Sequence, residues 1–303
     1  MSAPTTTYVA DEDEQYAALL QSSGRPVKEI VFRALLQGAL FVGVAFLAIL
    51  IVFVTVKGWP RLDMRLLTNF PSVRLPENAG ARSAIFGTLW VVGLTAVFSL
   101  PTGVLTAIYL EEYADRTSRF SRIVELNIQN LAAVPSIVYG ILGLGIIARG
   151  MGLGQTVITA SLTLSLLVLP IIIIASRESL RAVPQSIRQG SLALGATQWQ
   201  TVSRQVLPAA VPGMATGAIL GLSRAMGEAA PLLLLGGLSF VTFVPDGPMS
   251  PFTVMPIQIF GWTSQSREEF QVLAAATIVV LLVVLLAMNS AAILLRNRFG
   301  KRW

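Results

Sequence analysis

The chain has 303 residues, of which 54% are apolar and only 13% charged, about half the charged share of an ordinary soluble domain. A soluble protein of this size could not hide that much apolar surface, which excludes a disordered chain and a two-domain cytosolic enzyme. It contains no His and no Cys, and its formal net charge of +6 is scattered between apolar runs. Imidazole chemistry, thiol nucleophiles, disulfides, zinc and Fe–S sites and a nucleic-acid surface are excluded together.

Residues 1–28 are polar, with an acidic cluster at Asp11, Glu12, Asp13 and Glu14. They read as a mobile cytoplasmic tail rather than a signal peptide, because the region before the apolar stretch is acidic and no small-residue cleavage site follows. The first uncharged run is Ala34–Val56, long enough to cross about 30 Å of hydrocarbon. Ser83–Leu110, Leu126–Ala148, Gly150–Ser176 and Phe270–Leu295 qualify in the same way.

Val206–Pro245 is too long for one crossing and carries Arg224, Glu228, Pro231 and the Gly236-Gly237 pair. Parity decides it. Arg25, Lys28 and Arg33 precede the first span, and Arg296, Arg298, Lys301 and Arg302 follow the last. The positive-inside rule places both ends in the cytoplasm, which requires an even number of crossings. The expectation is an all-α, multi-pass protein of the cell membrane with about six transmembrane helices. Residues from about Pro231 to Phe260 then form an outer loop, short helices or a partial re-entry.

On this topology the cytoplasmic segments hold 14 Lys/Arg and the outer ones seven, five of those in the loop after the first span (Lys57, Arg61, Arg65, Arg74, Arg82). That basic loop runs against the rule. The expected organisation is a tail at 1–28, a first helix with its outer loop at 29–82, a transmembrane core at 83–293 and a basic tail at 294–303. Pro101, Pro135 and Pro170 lie inside spans, where each removes a hydrogen bond and kinks the axis. Gly213, Gly217 and Gly221 form a small-xxx-small repeat that suits close helix packing.

The longest cytoplasmic segment, Arg177–Gln205, reads as two short helices. Pro184 suits the start of the first, and Ile187, Ser191 and Leu194 fall on one side. Gly195 sits where a left-handed residue ends it, and Thr197 can cap the second. Trp199, Val202 and Val206 form a stripe there. Such a hairpin either docks a partner through an exposed Trp or lies along its own bundle and the lipid headgroups.

The run Gln189-Gly190-Ser191-x-x-x-Gly195, followed by Leu207-Pro208, resembles the "EAA" loop of ABC-importer permeases. The spacing of Gly195, Leu207 and Pro208 fits. The Glu, both Ala positions and the Ile are replaced by Gln189, Gly190, Ser191 and Gln205. The resemblance implies the type I ABC-importer permease fold, with this hairpin, Trp199 included, as the coupling element that docks into a separate ATPase. Nothing in the chain itself binds ATP, since no G-x-x-x-x-G-K-S/T motif occurs. ATP-Mg would be bound by the partner, and this chain carries no cofactor, metal or catalytic residue of its own.

Arg224 and Glu228 are charges within an apolar stretch, each costing about 2.5–3.5 kcal/mol at mid-bilayer on insertion scales. They either neutralise one another as an i,i+4 pair or serve an anion. Arg before Glu is the less favourable order for such a pair. The guanidinium, with its planar fork of donors, suits an oxyanion such as phosphate.

The string Ser223-Arg224-Ala225-Met226-Gly227-Glu228-Ala229-Ala230-Pro231-Leu232-Leu233, together with Ala133–Gly145, is similar to the PstA-type phosphate-specific ABC permeases. The similarity spans residues 83–293. It implies a phosphate importer in which Arg224 and Glu228 line the substrate path. The partners would be a homologous second permease (PstC-like), two ATPase subunits (PstB-like) and an extracytoplasmic phosphate-binding protein (PstS-like), all set in membrane lipid. An ABC permease for sulfate, molybdate, phosphonate or an amino acid is the alternative. An ion-coupled secondary transporter fits less well, because no internal repeat and no second intramembrane carboxylate stand out.

Overall fold

The computed structural model describes residues 27–115, 117–237 and 240–299. The acidic cluster at Asp11–Glu14 and the basic residues Arg25, Arg116, Lys301 and Arg302 lie outside them. Two units divide between Phe53 and Val54. The first consists of residues 27–53 of helix α1 (Val27–Gly58), a run without proline, with Glu29 in its first turn, where the helix dipole favours an anion. Its apolar side chains, among them Phe32, Phe41 and Phe46, are exposed, as befits a helix solvated by lipid.

The second unit begins with a compact excursion. Asp63 caps the short helix α2 (Met64–Thr68) by accepting from the Leu66 N–H at 3.0 Å. Arg61 donates to the carbonyls of Pro76 and Ala79, and Arg82 lies over the Phe70 ring at 5.4 Å. Several basic residues of this loop are thus structural fixtures, which is why it departs from the charge rule.

Helix α3 (Arg82–Ile108) carries Pro101 inside it and ends in a wide π turn, Tyr109–Tyr113. Next comes α4 (Arg119–Ala133), then α5 (Ser136–Leu142), which widens into a π segment, Gly143–Gly150. The crossing expected at Leu126–Ala148 carries its kink at Pro135, and the kink is sharp. The chain forms two helices bent by 105° at Val134-Pro135. Proline cannot donate and pushes the residue before it out of the helical region; Val134 accordingly takes φ −66°, ψ 130°. The next helix, α6 (Val157–Arg181), starts later than the expected Gly150, because a turn leads to Thr156. Thr156 makes an isolated antiparallel bridge with Pro251.

Helix α6 is the central one. Ala160, Leu164, Val168 and Ile172 are buried along it, packed with Val91 of α3. Helices α7 (Gln185–Ala193) and α8 (Gln198–Thr201) form the hairpin, and a π turn at Val202–Val206 leads into α9 (Leu207–Gly227). Small residues set the α6–α9 approach. A Cβ on Gly217 would fall inside contact distance of the Ala175 Cβ, and one on Gly221 would lie 3.2 Å from Ile172.

The segment after α9 contains the short helices α10 (Ala230–Leu234) and α11 (Met255–Thr263) before the long α12 (Glu268–Phe299). Of the forms expected for it, short helices are the one observed. Leu232, Leu235, Phe252, Val254 and Ile257 join the main core with Tyr139 and Val157. The Met255 N–H donates to the buried Thr88 hydroxyl at 2.9 Å. Burial of this much apolar side chain, at about 25 cal/mol per Å², holds the segment inside the bundle end.

Among the described residues five helices are long and apolar enough to cross a membrane, and the bent α4–α5 pair makes a sixth when taken as one span. The chain is a multi-pass, all-α membrane protein. Among the described residues there is no strand.

Candidate functional site

One of the two candidate regions lies where α9, α5 and α10 meet. Arg224 occupies the last turn of α9, where the exposed carbonyls of the helix end favour a cation. The helix stops at Gly227, and Glu228 takes an extended conformation, φ −80°, ψ 117°. Of the two readings of Arg224 and Glu228, the i,i+4 ion pair is not formed. Glu228 lies past the last helical residue, so the spacing that aligns such a pair is lost, and no ion pair joins the two among the described residues.

Arg224 is exposed and lies on the same face of α9 as Thr216, Leu220 and Gly227, all exposed. The opposite face, with Ala210, Met214, Gly217, Gly221 and Ala225, is buried. Thr216 to Gly227 spans about 16 Å at the helical rise. Tyr139 feels the charge of Arg224 and donates its hydroxyl to the Leu131 carbonyl at 2.8 Å. Gly140 lets α5 meet the Pro231 backbone. An uncommitted guanidinium on an accessible face can offer its fork of donors to a passing oxyanion.

The second region is the hairpin. Gly195 has φ +84°, the left-handed conformation expected of it. The Thr197 hydroxyl accepts from the Gln200 N–H at 3.3 Å, and the Gln200 side chain accepts from the Thr197 N–H at 2.9 Å, a complete capping box. Gln189 and Gly190 are exposed, and Ser191 bonds Thr201 between hydroxyls at 2.9 Å.

Two expected alignments are corrected. Ile187 packs on a core cluster while Leu194, past the last turn of α7, is 90% exposed. Trp199 is 64% exposed, whereas Val202 and Val206 are buried, because the chain widens after α8 into the π turn Val202–Val206, which alters the register. Leu207 packs beneath, and Pro208 stands in the first turn of α9, where its missing N–H costs nothing.

Ser186, Gly190, Ser191, Leu194, Gln200 and Arg204 line a concavity of about 470 Å³ on one side of the hairpin. Sequence reasoning missed what anchors it. Glu111 and Glu112, at the end of α3, receive Arg181 at 3.0 Å and Arg188 at 2.7 Å. The signal was an adjacent acidic pair closing an apolar run, opposite three arginines spaced through Arg177–Arg188. Beyond α3, Asp115 accepts from the backbone N–H of Thr117 and then from its hydroxyl, which hold its carboxyl below the usual carboxylate range.

These regions sit on a bundle of helices long and apolar enough to cross a membrane. Residues 99–300 match the family of binding-protein-dependent transport system inner membrane components, and the chain belongs to that family. It is 39% identical over 188 residues to the phosphate transport system permease protein PstA 1 of Mycobacterium tuberculosis, covering 61% of this chain and 59% of that protein. The chain thus spans about three fifths of the first curated relatives it matches.

It is also 30% identical to the phosphate transport system permease protein PstA of Haemophilus influenzae, over 78% of this chain and 83% of that one. Among solved structures, a bacterial alginate ABC transporter in complex with an alginate pentasaccharide-bound periplasmic protein gives a TM-score of 0.61 at 16% identity, covering 91% and 99% of the two chains. An inward-facing MetNI methionine ABC transporter gives 0.56 at 17% identity, covering 72% and 95%. The type I permease fold is shared with both.

Proposed function

We propose that this chain is a permease subunit of an ATP-driven phosphate importer, with both termini in the cytoplasm. Its relatives in Mycobacterium tuberculosis and Haemophilus influenzae are phosphate permeases by name. The observation that carries the reading is Arg224, a membrane-embedded cation without an ion-pair partner among the described residues, on the accessible face of α9. The expense of keeping such a charge in a membrane is justified when an anion uses it. Binding there is weak, since a site on a transport path must also release.

The remaining parts follow from the same reading. A homologous second permease covers the accessible face of α9, two ATPase subunits receive the hairpin through Gln189, Gly190, Ser191 and Trp199, and an extracytoplasmic binding protein delivers phosphate to the other end. ATP-Mg is bound and hydrolysed by those ATPase subunits. Gly195, Leu207 and Pro208 shape the hairpin and its exit into α9. Glu228 lies beside the path and leaves Arg224 free.

The test is phosphate uptake by the assembled complex. Losing a charged hydrogen-bonding partner costs about 1.5–3 kcal/mol, so Arg224→Gln should slow uptake roughly ten- to hundredfold with all subunits still bound. Arg224→Lys should fall between, and Glu228→Gln should change uptake less than either. Unchanged uptake in Arg224→Gln, or equal competition by sulfate in the wild type, would reject the reading.

A further inference from the structure

Helices α6, α7 and α8 converge on Glu111 and Glu112. The Glu112 carboxylate, 8% exposed, takes both the Nη2 of Arg188 at 2.7 Å and its Nε at 3.3 Å. The same guanidinium, 13% exposed, donates from Nη1 to the Val183 carbonyl at 2.6 Å and from Nη2 to the Leu180 carbonyl at 2.8 Å. Those carbonyls belong to the end of α6 and the link into α7, where the helix leaves acceptors unfilled. Gln198 of α8 donates to the Glu112 backbone carbonyl. Behind it, Glu111 receives Arg181, and Arg177 bonds Glu125 of α4 at 3.1 Å.

We propose that the Glu112–Arg188 pair is the strut that carries movement of the hairpin into the membrane helices, both residues acting as positioning residues for coupling. The inference rests on the reading of the hairpin as the element that engages the ATPase. Apolar packing alone would hold the hairpin without fixing its direction. A two-pronged arginine–carboxylate contact, largely shielded from water, fixes distance and angle together. Arg188 lies one residue before Gln189, on the helix that would meet the ATPase, and Glu112 closes the span that begins at Arg82. A push on α7 therefore reaches α3 and the end of α6 through one side chain, with no flexible joint between.

The experiment uses the whole complex in proteoliposomes with its binding protein, measuring phosphate moved per ATP hydrolysed. Glu112→Gln should lower that ratio at least fivefold while the ATPase subunits still co-purify and hydrolyse. Arg188→Lys, which keeps the charge and loses the fork, should lower it less. The exchange Glu112→Arg with Arg188→Glu should restore part of it. Glu125→Gln, on the more exposed edge of the cluster, should leave the ratio near wild type.

An unchanged ratio in Glu112→Gln would overturn the strut. So would loss of ATPase binding in both Glu112→Gln and Arg188→Lys, since the pair would then serve folding alone. Wild-type complex that hydrolyses ATP without moving phosphate would instead overturn the function proposed above.

Discussion

Gly140 offers a sharp test of how the bent helix pair and the short helix α10 fit together. A Cβ there would lie 2.7 Å from the Pro231 Cα and 2.8 Å from its carbonyl oxygen. Carbon atoms rest at about 3.5 Å or more, so α5 and α10 would have to part by roughly 0.8 Å. Neither obstacle is a side chain that can rotate away. Overpacking of this kind costs about 1–3 kcal/mol, against which the helical preference of Ala over Gly returns roughly 0.5–1 kcal/mol.

Gly140→Ala should therefore destabilise the chain by about 0.5–2 kcal/mol, or roughly 2–6 °C in Tm on the scaling for large domains. Gly145 supplies the control. It lies on the same arm, with nothing within 4 Å of its Cβ position, so Gly145→Ala should be neutral or slightly stabilising. Thermal unfolding of the purified chain in detergent, followed by tryptophan fluorescence, reads both. Equal behaviour of the two variants would refute the close approach of α5 to α10.

Two further outcomes concern the hairpin. Gly195→Val should strain a backbone at φ +84° although the space around it is open. The cost is of order 1–3 kcal/mol, visible as lowered hydrogen-exchange protection of α7 and α8 with the membrane core unchanged; full protection would contradict it. Thr197→Ala removes the capping box and should cost about 1 kcal/mol, while Thr197→Ser should retain most of the stability. Equal stability of the two Thr197 variants would show that the cap contributes nothing there.

Length, composition and local rules were sufficient for the class, the number of spans, the hairpin and its punctuation. Each depends on interactions within one helix or turn: apolar length against bilayer thickness, a left-handed residue at Gly195, a cap at Thr197, a small-residue repeat at Gly213, Gly217 and Gly221. Arg224 stood out for the same reason, since a charge in an apolar run is conspicuous wherever it ends up.

What only the tertiary structure decided is direction. Pro135 announces a kink, but its 105° turn depends on what α4 and α5 pack against. The partner of each charge was equally hidden. Glu228 looked like the mate of Arg224 by spacing, yet α9 ends between them. Arg188 finds Glu112 across 76 positions of chain, a pairing that no local pattern encodes because it exists only once α3, α6 and α7 have converged.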